Sequence, residues 1–182
     1  MAMDHFTEEV VVKKNRTLNY ILNIFSWIII VVSGAICLLE ISALPSMLQN
    51  GVNWIELIFA VICGAIAVYT FLTHDKLLTE YEYTFTNGAL DFAEVYNNKK
   101  RKSLGSLNVR NVDAFGKVAS SSFQRYLNTP DVKRMNWFLN RDAELYYFFF
   151  SKDSNKKMII LEPSEELVGM IRQYLPHGVY QD

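Results

Sequence analysis

Two uninterrupted apolar runs, Ile21–Leu39 and Trp54–Leu72, constrain this chain more than any other feature. Each holds nineteen residues with no Lys, Arg or Asp. At about 1.5 Å per residue, a helix of that length is roughly 28 Å long, which matches the hydrocarbon layer of a bilayer. Glu56 is the one formal charge inside either run, and it falls in the first turn of the second beside Trp54, within reach of interfacial water. The expectation is an integral membrane protein with spans at 21–39 and 54–72, joined by a loop at 40–53.

Flanking charge orients the pair. Lys13, Lys14 and Arg16 precede the first run, Lys76 follows the second, and 40–53 between them carries no Lys or Arg. The positive-inside bias then places a tail at 1–20, both termini and everything after Leu72 in the cytoplasm, with the short loop outside. A secretory signal does not fit the first run. Its apolar stretch exceeds the roughly 7–15 residues of such signals, and no small-x-small cleavage site follows. Small residues four apart, Ser33 with Cys37 and Ala60 with Gly64, suit close packing of one span on the other.

Bulk figures conceal this division. Net charge is −1 and mean hydropathy is barely positive, values that an ordinary soluble domain would share. From Thr73 onward, fifteen Lys and Arg face fourteen Asp and Glu, so no global field draws this part to nucleic acid. Both cysteines, Cys37 and Cys63, lie in the apolar runs and read as small packing residues. The polar part therefore has no disulfide framework and no cysteine-based zinc site.

After Leu72 the apolar period changes to two. Tyr81, Tyr83 and Phe85 alternate with Glu82 and Thr84, Asn87-Gly88 forms a tight turn, and Leu90 and Phe92 continue beyond it. Residues 80–96 thus read as a hairpin. A polar tip at 97–102 leads to a third strand near 103–109 and a fourth near 112–118. A loop with one helical turn near 123–127 follows, then strands at 136–139, 144–151 and 156–161, the last two joined by a turn at Asp153-Ser154-Asn155. Ser164, Glu165 and Glu166 open a helix whose apolar face is Leu167, Ile171 and Leu175, and Pro176 closes it. The predicted domain at 73–182 is a curled antiparallel sheet of about seven strands capped by a C-terminal helix.

The segment Tyr83-Thr84-Phe85-Thr86-Asn87-Gly88-Ala89-Leu90-Asp91-Phe92 resembles the opening hairpin of bacterial pleckstrin-homology-like (PH-like) domains. Leu107, Val109 and Val112 are similar to their next apolar pattern, without the acidic residue usual between the first two. The plan as a whole resembles a family of small two-span membrane proteins of Gram-positive bacteria. This resemblance implies a PH-like fold and a place at the membrane; its motifs carry no catalytic residue. Phosphoinositide-binding relatives hold a Lys/Arg cluster in the first turn, and Asn87-Gly88-Ala89 has none, which implies no specific inositide recognition.

No catalytic constellation is legible. His5, His74 and His177 are scattered, and there is no G-x-S-x-G, glycine-rich phosphate loop or dinucleotide fingerprint. No enzyme activity, metal or cofactor is expected. Two features carry interaction chemistry. Lys99, Lys100, Arg101 and Lys102 form a candidate contact for anionic lipid, each worth about 1 kcal/mol near an acidic leaflet. The run Tyr146–Phe150 sends aromatics to both faces of a strand, so Tyr147 and Phe149, with Phe123 and Tyr126, form a candidate partner patch unless the chain itself covers them. The expected role is a tethered module recruiting or organising another membrane or cytoplasmic protein, in some oligomeric state. An anionic-lipid sensor and an accessory transporter subunit are the competing expectations.

Overall fold

The computed structural model describes residues 5–51, 53–152 and 155–181, which divide into two compact units. One is Asn15–Thr79; the other joins the N-terminal residues through Lys14 to Glu80–Asp182. The helical unit is thus inserted into the β unit, between its first and second strands.

In the helical unit, α1 (Arg16–Asn50) and α2 (Trp54–Thr73) pack along one another. Only 11% of each helix's most apolar stretch is buried, whereas a core helix of a soluble domain would be mostly covered. Both are long and apolar enough to cross a membrane. The expected loop at 40–53 is largely helical, because α1 runs through Glu40 and past Pro45 to Asn50, and Gly51 then breaks it with φ +104°. Ser42 and Ser46 donate their hydroxyls to the carbonyls of Leu39 and Ala43, so the polar residues that resemble a loop in sequence are accommodated inside the helix. Asn53 caps α2 by accepting from the Ile55 N–H and donating to Glu56 Oε1 at 2.8 Å. At the other end, Asn19 and Asn23 of α1 donate to the carbonyls of Leu77 and His74, groups that the end of α2 leaves open.

The β unit begins where a tail was expected. β1 (Phe6–Val11) runs antiparallel to β2 (Thr79–Thr86), from Phe6 opposite Thr86 to Val11 opposite Tyr81. A turn at Asn87-Gly88, with φ +50° and +96°, leads to β3 (Ala89–Tyr96). A second turn, with Asn97 and Asn98 also at positive φ, leads to β4 (Lys100–Asn108). The sheet order is β1-β2-β3-β4. The second sheet contains β5 (Ala114–Lys117), β6 (Lys133–Trp137), β7 (Tyr146–Lys152), β8 (Asn155–Leu161) and β9 (Tyr180–Gln181), in the order β6-β8-β7-β5-β9. The described residues therefore hold nine strands, against about seven expected. Two of the pairings, β6 with β8 and β5 with β9, are parallel. The predicted turn at Asp153-Ser154 lies outside the described residues.

Between the sheets lies the main core, where Tyr83, Phe85, Leu90, Phe115, Phe148 and Leu161 are wholly buried. α4 (Glu165–Tyr174) closes it with Leu167, Val168 and Ile171, and the Ser164 hydroxyl accepts from the Leu167 N–H as the sequence predicts. Burial of three such side chains contributes roughly 5–8 kcal/mol, enough to hold a ten-residue helix in place. On the outer face of the second sheet, α3 (Ser121–Leu127) covers a smaller core of Ala114, Phe123, Tyr147, Phe149, Met158 and Ile160.

Candidate interaction surface

The four aromatic residues expected as a partner patch are the interior of that smaller core. Phe123, Tyr147 and Phe149 are buried, and Tyr126 is half-buried against the Tyr147 and Phe149 rings. Tyr147 donates its hydroxyl to Ser122 Oγ at 3.2 Å, and burial pushes its phenol up. A two-faced aromatic strand needs two covers, and here α3 is the second, so these residues present no open patch.

The basic run has also moved. Lys99 lies in the turn, while Lys100, Arg101 and Lys102 are the first residues of β4, the outer strand of its sheet. Arg101 Nε is 2.7 Å from Glu82 Oε2, and Lys102 Nζ is 3.9 Å from Glu94 Oε2. Cations on a strand without an outer neighbour also oppose edge-to-edge association. Arg101 and Lys102 are therefore matched by carboxylates of the same sheet.

Unmatched cations gather elsewhere. Lys133 of β6 stands opposite Lys157 of β8, which stands opposite Phe150 of β7, and Lys152 ends β7. Among the described residues none of these three lysines pairs with a carboxylate. Lys152 and Lys157 line a cleft of about 140 Å³ where β4 meets the second sheet, and Lys133 stands beside it only as the cross-strand partner of Lys157. Its floor is apolar: Phe92, Leu104, Met135, Trp137, Phe150 and Ile159. A register shift between Phe92 and Ala93, opposite Ser103 and Gly105, leaves Leu104 as the extra residue that bends β4 there. The sequence reading missed this cleft. Its signal was the alternation Lys133-Arg134-Met135-Asn136-Trp137, in which half-buried Met and Trp share a face with Lys.

A polar network secures the segment that leaves β1. Buried Asn140 accepts the Lys14 N–H at 2.8 Å and donates to the Val12 carbonyl at 2.9 Å and to Glu162 Oε1 at 2.8 Å. Glu162 Oε2 in turn accepts the N–H groups of Leu139 and Asn140. Buried Tyr83 donates to the Trp137 carbonyl and accepts the Glu162 N–H at 3.3 Å; its phenol is pushed far up, first by burial. In β1, the Glu9 carboxylate accepts the Ser164 N–H at 2.9 Å, just ahead of α4. Burial raises the Glu9 carboxyl, opposed by the Ser164 bonds and reinforced by Glu162 and Glu166. These groups are structural ties, with no nucleophile among them.

Among the described residues there is no group of three or more His, Cys, Asp and Glu side chains placed to hold a metal ion. His5 contacts the Tyr174 hydroxyl at 3.1 Å, and His74 is buried against Trp27 at the end of α2.

A family model described as "Bacterial PH-like domain (DUF6106)" matches residues 3–181. The match covers the N-terminal strand and the two apolar helices as well as the β unit. No curated protein and no solved structure matches the chain. The chain belongs to the bacterial PH-like family DUF6106.

Proposed function

From that family membership, we propose an integral membrane protein whose helical hairpin tethers a non-enzymatic PH-like module at the cytoplasmic face, where it recruits or organises another protein. One observation carries this reading: β1 and β2 are neighbours in one sheet, yet the whole hairpin lies between them in sequence. A strand pair cannot form across a bilayer, so the hairpin must cross an even number of times and return to the side it left. Lys13, Lys14 and Arg16 before it and Lys76 after it favour the cytoplasm as that side. For the module, the support is the family match together with an apolar cleft lined by Lys152 and Lys157, which are unmatched among the described residues.

Topology is tested by labelling single cysteines in a Cys37→Ala, Cys63→Ala background with an impermeant thiol reagent on intact cells. A cysteine at Gln49 reacts from outside, while one at Asn155 reacts only after permeabilisation. Reversed labelling overturns the assignment. The recruitment role is tested by crosslinking in native membranes followed by affinity purification of the full chain. A reproducible stoichiometric partner supports it; a chain recovered alone overturns it.

A further inference from the structure

We infer that the cleft between β4 and the second sheet is a docking site for an extended acidic peptide that inserts one large apolar side chain. The inference rests on the recruitment reading and gives the partner's chemistry.

Backbone geometry sets the form of the occupant. Among the described residues β4 is paired only with β3 and β6 only with β8, so each has one edge without a strand neighbour there, and both border the cleft. Such edges offer a row of N–H and C=O groups to an extended chain. A folded helix or a lipid headgroup has no matching row.

Volume sets the anchor. About 140 Å³ is close to the space that holds a benzene ring in a protein interior, so the floor of Leu104, Met135 and Trp137 takes one phenylalanine or leucine side chain. An extended peptide sends every second residue to the same side, so the residues two before and two after the anchor are the ones that reach the rim.

Charge sets the remainder. Lys152 and Lys157 line the cleft and Lys133 stands opposite Lys157, all three unmatched among the described residues, whereas Arg101 and Lys102 on β4 already have carboxylates. Glutamate or aspartate flanking the anchor supplies the missing partners, and like charge there is rejected.

The test uses the full chain in nanodiscs of neutral phosphatidylcholine. The probe is a fluorescein-labelled peptide of eight residues with blocked ends, one phenylalanine among glutamates; the control sets the same phenylalanine among lysines. The acidic probe binds, the basic one does not, and rising salt weakens the complex because exposed charges are screened within about 8–10 Å. In a Trp27→Phe, Trp54→Phe background, the remaining indole of Trp137 changes its emission on binding. Lys152→Glu with Lys157→Glu weakens binding about tenfold or more while leaving the melting temperature unchanged. Equal binding of both probes, no acidic binding at millimolar concentration, or indifference to the double charge reversal overturns the site. So does transfer of the same lysines' contribution to vesicles containing phosphatidylglycerol, which assigns them to lipid. The two readings fail separately: a crosslinked partner retained by the Lys152→Glu, Lys157→Glu chain keeps recruitment and removes this cleft from it.

Discussion

The hairpin and the β unit obey opposite rules with similar residues. In the hairpin the large apolar side chains point outward, as with Ile55 at 79% exposure and Leu39 at 69%. In the β unit, Tyr83, Phe85 and Phe148 have no exposed surface at all. At about 25 cal/mol per Å², so much apolar surface left in water would outweigh the stability of the whole chain. A lipid environment makes both arrangements favourable within one protein, and both helices are long and apolar enough to cross one. The comparison shows that burial becomes interpretable only once the solvent on each stretch is known.

The sharpest way to break this comparison is to separate the two regions. Removing β1 strips β2 of one of its two neighbours and removes Glu9 from Ser164 and Val12 and Lys14 from Asn140. A fragment starting at Lys76 is expected to lose cooperative unfolding entirely. A chain in which a short glycine-serine linker joins Lys14 directly to Glu80 keeps it, because Val11 and Tyr81 are cross-strand neighbours. Circular dichroism melts and amide NMR dispersion of both soluble products check this. If the fragment folds as well as the linked chain, the insertion has no structural importance.

Within the linked product, Asn140→Ala leaves the Lys14 N–H, the Val12 carbonyl and part of Glu162 without partners in a buried place. The expected loss is about 3 kcal/mol by urea denaturation, since each stranded buried group costs about 1–3 kcal/mol. In the full chain the same substitution should leave the helicity of the spans unchanged.

A smaller effect, confined to the hairpin, comes from its close approach. A Cβ on Gly64 would lie 3.1 Å from Cys37 Sγ, whereas one on Gly34 meets nothing within 4 Å. Gly64→Val is therefore expected to weaken helix association by about 1–2 kcal/mol, and Gly34→Val by much less, in a bilayer-based unfolding assay. Equal effects would show that the small residues are incidental to packing.

The smallest effect is in pH dependence. Burial raises the Glu9 carboxyl above its ordinary value of 4.5. Its contribution is thus fully present below that value and is lost as pH rises through the raised one. Glu9→Gln keeps an acceptor for the Ser164 N–H and removes the ionisation. The melting temperature of the linked product should then change less between about pH 4 and 7 than that of its parent.

How much could be read beforehand follows from how local each signal is. The spans, the Asn87-Gly88 turn and the Ser164 cap are set by neighbours in sequence, and all three are present. β1 was misread as tail because six residues carry little pattern, and their partner lies beyond the entire hairpin. The parallel pairing of β6 with β8 is likewise invisible to periodicity, as is the cleft that it borders. The stretch beyond Leu39 was misread for another reason. Its serines, Glu40 and Pro45 are loop-like in composition, yet all lie within α1, where Ser42 and Ser46 turn their hydroxyls onto carbonyls of the helix itself. The aromatic run had two readings, and only the position of α3 decides between them.

The insertion of the hairpin between β1 and β2 also imposes an order on synthesis. The first strand to leave the ribosome is the one that waits longest, because its partner emerges only after both spans have been made. Until then β1 is a short unpaired ribbon, and closing the sheet carries the loop-closure cost of everything in between. A chain whose second span stalls outside the bilayer strands the two halves of the sheet on opposite sides. On the proposed topology, sheet closure therefore excludes the half-inserted chain: a molecule with one span across and one left behind cannot finish its domain.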